Sequence, residues 1–77
     1  RTTPEITAKD RINIIMDVST VLSSTKTHVS SLNARSTPDG FALLSLDIDV
    51  PDSEQLRTVM RRLEQISGVM RVTRPAG

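Results

Sequence analysis

The sequence predicts an α+β fold with elements in the order β-α-β-β-α-β. Three observations predict it. Apolar residues alternate with polar ones over Leu44–Val50, the period of a half-buried strand, at the end of an extended run that starts at Phe41. Two other stretches repeat their apolar residues at helical spacing. The tetrapeptide Thr37-Pro38-Asp39-Gly40 separates two extended segments with turn chemistry, because proline presets one φ and glycine accepts positive φ. A chain of 77 residues is expected to form one domain, since compact domains typically hold about 100–150 residues. Its core should run from about residue 5 to residue 74.

The first strand is read over 5–8, with Ile6 and Ala8 on one side and Pro4 at its start, where a strand tolerates proline. Residues 11–24 read as a helix with an apolar stripe of Ile14, Ile15, Val18, Val21 and Leu22 and with Asp10 as N-cap. Ile12 and Met16 fall off that stripe. Residues 28–36 and 41–50 read as a hairpin closed by a three-residue loop with Gly40 as a bulge. That loop pairs Leu32 with Leu46, Ala34 with Leu44, Ser36 with Ala42 and Ser30 with Ile48. A slip of one residue would set Leu32 against Ser45 and is disfavoured. Asp52 and Gln55 resemble a capping box ahead of a second helix with Leu56, Val59, Met60 and Leu63 on one side. Gly68 suits the end of that helix. Residues 69–74 form a last short strand, and Arg74-Pro75-Ala76-Gly77 is tail.

Two right-handed crossovers around one hairpin give a ferredoxin-like sandwich, a four-stranded antiparallel sheet with both helices on one face. The other face is left bare, with Val29, Phe41 and Leu43 expected on it. Burial of that face by a second copy, as a homodimer, is the expected consequence.

Composition narrows the function. Ten basic against nine acidic residues give a net charge of +1, with both signs spread along the chain. Such a surface argues against a protein built to grip a phosphate backbone. One aromatic, Phe41, leaves no set of stacking platforms for single-stranded nucleic acid. The absence of cysteine removes disulfides, thiolate metal sites and a cysteine nucleophile, and fits a cytoplasmic location. No apolar run approaches the roughly 20 residues of a membrane span. The chain starts at Arg1 rather than methionine and is expected to be a module of a longer protein.

No residues present a catalytic set. His28 is the one histidine and reads as an ordinary strand-end residue. Asp47 and Asp49 alternate on a solvated strand face. No cluster of His, Asp and Glu supplies a metal shell, and no serine sits in a G-x-S-x-G elbow. The glycines, at 40, 68 and 77, make no phosphate-cradling loop. The expectation is therefore no catalytic residue, no metal and no cofactor. One enzymatic alternative rests on topology: Arg11 in the first loop and Asn33 on a strand resemble the working residues of acylphosphatases. Arg57, Arg61 and Arg62 on the second helix form the densest polar patch, a candidate surface for RNA phosphates or a protein partner.

Asp10-Arg11, followed by Asp17-Val18 and Leu22, resembles the D-R-P-G-L-L-x-D-V signature that opens the first helix of ACT domains. The run from Val29 to Arg35, the Asp39-Gly40 turn, the strand end Asp47-Ile48-Asp49-Val50 and the closing Ile66-Ser67-Gly68-Val69 are similar to one subgroup. That subgroup is the C-terminal ACT domain of RelA/SpoT-type GTP pyrophosphokinases, which make and degrade guanosine tetraphosphate. The resemblance implies a non-catalytic regulatory module that pairs with a second copy and acts on catalytic domains of the same parent chain, with the ribosome as a further partner. It also implies an amino-acid site between the first loop of one copy, Asp10, Arg11, Ile12, Asn13 and Ile14, and His28, Val29 and Ser30 of its partner. Ile12 and Asn13 replace the Pro-Gly of the signature. Asn tolerates the left-handed conformation, but its side chain fills space that glycine leaves open.

Overall fold

The structure, a computed structural model, describes residues 1–74. The elements are β1 (Glu5–Lys9), α1 (Ile14–Ser24), β2 (His28–Ser36), β3 (Phe41–Asp49), α2 (Ser53–Glu64) and β4 (Val69–Thr73). They form a ferredoxin-like α+β sandwich. The sheet has the order β2-β3-β1-β4 with every neighbour antiparallel. α1 therefore crosses over from β1 to β2 and α2 from β3 to β4. The two helices and the inward sheet face share one core, built from Ile6, Leu44, Leu46 and Ile48 below and Val18, Val59 and Leu63 above.

The hairpin register is the one that its alternation requires. Leu32 pairs with Leu46, Ala34 with Leu44 and Ser36 with Ala42. Thr37 and Phe41 close the loop through a backbone bond of 2.8 Å, and Gly40 takes φ 88°. Ser30 departs from expectation. It sits in a β-bulge, and Val29 rather than Ser30 lies opposite Ile48. The extra residue reverses the alternation beyond it. Val29 accordingly packs against the core instead of on the bare face.

α1 starts at Ile14, the first residue of the apolar stripe and three residues later than the expected start at Arg11, because Asn13 adopts φ 72° and interrupts the helical path. Asn13, not Asp10, occupies the N-cap position, and no side chain caps it. Asp10 instead donates its backbone N–H to the Gly40 carbonyl at 3.0 Å. Ile14, Val18 and Leu22 are buried, while Ile15 is 47% exposed and so lies outside the core stripe. The helix ends in a Schellman motif: Thr27 N–H bonds Leu22 O and Lys26 N–H bonds Ser23 O, each at 3.0 Å. Lys26 takes the left-handed position at φ 55°.

Asp52 caps α2, its Oδ1 accepting from Gln55 N–H at 2.8 Å. The Gln55 side chain does not close the box. Its Nε2 donates to the Thr25 carbonyl at 2.8 Å and joins the end of α1 to the start of α2. Ahead of β1 the chain continues along β3: Thr2 bridges Ile48, Leu46 N–H bonds Pro4 O at 3.0 Å, and Pro4 is buried. The last strand ends at Thr73, and Pro75–Gly77 lie outside the described residues.

Candidate functional site

The loop after β1 is held by the two turns beside it. Lys9 N–H bonds Gly68 O at 2.9 Å, and Asp10 N–H bonds Gly40 O. Arg11 does most of the rest. Its Nε and Nη2 donate to the Ser67 carbonyl at 2.9 and 2.7 Å, Nη1 to the Ile12 carbonyl at 2.9 Å, and Nη2 to Asp17 Oδ2 at 2.7 Å. The planar fork satisfies acceptors in three directions, which a lysine ammonium on a flexible stem does not reproduce. Arg11 thus fastens the first loop to the turn before β4.

The other predicted loop residues split. Ile14 is 3% exposed and belongs to the core, whereas Ile12 projects into solvent at 85%. Asp10 and Asn13 are exposed. On β2, His28 and Ser30 are exposed and Val29 is half-buried. His28 pairs with Asp49, whereas the first loop adjoins Phe41 at the far end of β3. A strand of that length separates the two groups by roughly 26 Å. One protomer does not bring them together.

Arg57, Arg61 and Arg62 are exposed on α2. Arg62 reaches α1, donating to Ser24 Oγ at 3.1 Å. Arg57 and Arg61 form no ion pair among the described residues. Arg61 and Arg62 also lie in the last turn, where cations complement the helix dipole. Arg1 forks onto Asp47, and the Asp47 hydrogen bond and then its charge hold the guanidinium above its ordinary pKa. Arg11 and Asn33 do not converge: Asn33 lines a cleft on the outer sheet face, and Arg11 is absent from its walls. The acylphosphatase-like arrangement is not assembled. Among the described residues, no group of three His, Cys, Asp or Glu is placed to hold a metal ion, and no helix is long and apolar enough to cross a membrane.

Two surfaces escaped the sequence. β2 is an edge strand, and its inward positions Ala34 and Ser36 remain exposed beyond the helix layer. Beside it runs a groove of about 440 Å³ floored by Leu22, Val29 and Leu32 and flanked by Ser19 and Ser23 of α1. The second is the outer-face cleft. That face is more polar than expected, since Val29 has left it and Phe41 and Leu43 are half-buried there.

The sequence profile of the ACT domain family matches residues 1–74. The chain belongs to the ACT domain family. A GTP pyrophosphokinase of Myxococcus xanthus is 29% identical over 72 residues, which cover 94% of this chain and 10% of that protein. The chain therefore spans about a tenth of the curated relative it matches. Among solved structures, the ACT domain from GTP pyrophosphokinase of Chlorobium tepidum superposes with a TM-score of 0.84 at 24% identity, covering 96% of this chain and 95% of the other. The acetolactate synthase small subunit from Thermotoga maritima superposes at 0.81 and 15% identity, over 95% of this chain and 45% of that one. These likenesses share the fold of this ACT domain.

Proposed function

We propose that this ACT domain is a regulatory, non-catalytic module of a RelA/SpoT-type GTP pyrophosphokinase. Within such a parent it controls the making or breaking of guanosine tetraphosphate in the stringent response. Its partners are a second copy of itself and the catalytic domains of its own chain. The observation that carries the pairing is the unpaired β2 edge beside the apolar groove. An exposed edge of 9 residues is a template for another strand. Antiparallel pairing of two β2 edges sets the Ser36 end of one copy beside the His28 end of the other. That brings Asp10–Asn13 of one copy toward His28–Ser30 of its partner, the two groups that a single protomer keeps apart.

Such a junction is where a small amino acid would act as the signal. Ligand binding regulates only when two states bind it unequally, and an interface between copies supplies a paired and an unpaired state. Sedimentation of the chain over a concentration series tests the pairing. Dimers are expected, and Ala34→Glu, which adds a like charge to each edge at an exposed position, should shift them to monomers. Monomer alone at high concentration would refute the arrangement. Titration with branched-chain amino acids, followed by NMR, tests the signal. Saturable shifts at Asp10–Ile14 and His28–Ser30 are expected, and their absence in a dimeric sample leaves the module as a docking element alone.

A second surface supports contact with the ribosome. Arg57 and Arg61 stand one turn apart on α2 without ion-pair partners among the described residues, and unneutralised arginines suit phosphate groups. Replacing both by Gln should reduce ribosome co-sedimentation at low salt while leaving the thermal melt of the domain unchanged.

A further inference from the structure

The sheet register places Arg35, Leu43, Thr7 and Arg71 in one row across the outer face. The next row holds Asn33, Ser45 and Glu5. These residues line a cleft of about 240 Å³ on the side of the sheet opposite the helices. We propose that this cleft binds a small α-amino dicarboxylate, with its two acid groups on Arg35 and Arg71 and its ammonium on Glu5.

The argument is one of charge and spacing. Among the described residues, Arg35, Arg71 and Glu5 take part in no ion pair. Arg1 and Arg11, by contrast, have both found carboxylates. Arg35 on β2 and Arg71 on β4 stand three strand spacings apart, roughly 14 Å between backbones. Their side chains rise from the same face with Leu43 and Thr7 between them. A compact anion with two acid groups can engage both guanidinium forks at once, each in the bidentate geometry that arginine favours. A plain dianion would face repulsion from Glu5, and an ammonium group turns that repulsion into a third attraction. Two cations and one anion on the protein then meet two anions and one cation on the ligand. Leu43 offers an apolar floor for the methylenes between them. The volume falls below the ~300–1,000 Å³ of clefts that hold drug-sized ligands, which favours a small metabolite over a nucleotide.

The cleft lies apart from the first loop and from the groove beside α1, so the inference stands independently of the regulatory interface proposed above. It is tested by NMR titration of the ¹⁵N-labelled chain with glutamate, glutarate and inorganic phosphate. Glutamate should give saturable shifts at Thr7, Asn33, Arg35, Leu43 and Arg71, and should bind more tightly than glutarate. Arg35→Gln and Arg71→Gln should each weaken glutamate about tenfold. Glu5→Gln should abolish the preference for glutamate over glutarate. All three positions are exposed, and a thermal melt confirms that each variant is folded. Shifts confined to Asp10–Asn13 and His28–Ser30 would overturn the proposal while supporting the interface site. Equal binding of phosphate, unchanged affinity in the arginine variants, or an unchanged preference in Glu5→Gln would each overturn it.

Discussion

Arg11 lies across Gly68 so closely that a β-carbon on the glycine would come within 3.2 Å of Arg11 Nε. Gly68 also sits at φ 92°, a region that L side chains enter at a cost. Gly68→Ala therefore pushes on the guanidinium and strains the backbone together. A loss of about 1–2 kcal/mol is expected from the backbone alone. Urea unfolding measures it, and an unchanged midpoint would refute the close approach.

Arg11→Lys keeps the charge but loses the fork. Bonds to the Ser67 and Ile12 carbonyls and to Asp17 cannot all be replaced by one ammonium. The expected loss is about 1–3 kcal/mol, accompanied by faster amide exchange at Lys9 and Asp10, whose neighbours the fork holds. A variant as stable as the parent, with unchanged exchange, would show that the loop is held by its backbone bonds alone.

Lys26→Gly should stabilise the protein. Lys26 is the left-handed residue of the motif that ends α1, and glycine occupies that position without a β-carbon penalty. A gain of about 1 kcal/mol is expected, partly offset by the greater freedom of glycine in the unfolded chain. A fall in melting temperature would contradict it.

Asp52→Ala and Leu63→Ala separate a cap from the core. Asp52 satisfies one backbone donor at the start of α2, and its removal should cost about 1 kcal/mol. Leu63 is fully buried, and its truncation should cost about 2–5 kcal/mol in a core this small. Similar losses at the two sites would mean that the helix is held by its end rather than by its packing.

Much of this fold is legible in the sequence. Alternation over Leu44–Asp49 sets which residues face inward, and the Pro38-Asp39-Gly40 loop sets the hairpin register, so the pairs of Leu32, Ala34 and Ser36 follow from local chemistry. The helical spacing of Leu56, Val59 and Leu63 identifies the buried side of α2. The start of α1 was less legible. Asp10 has the chemistry of an N-cap, but its N–H is drawn to Gly40, 30 residues away in sequence. At the candidate site the loop residues are legible as a group from Asp10-Arg11, whereas the burial of Ile14 and the tie from Arg11 to Ser67 depend on the packed fold.

By itself the sequence determined the order of elements, the hairpin register and most of the core. Each depends on residues a few positions apart, where periodicity and turn chemistry act. Tertiary structure alone decided the bulge at Ser30 that carries Val29 to the core side. It also decided the capture of Arg11 by Ser67 and the row that sets Arg35 and Arg71 on one face. Those outcomes depend on which distant strands and turns become neighbours, and a local pattern does not encode that.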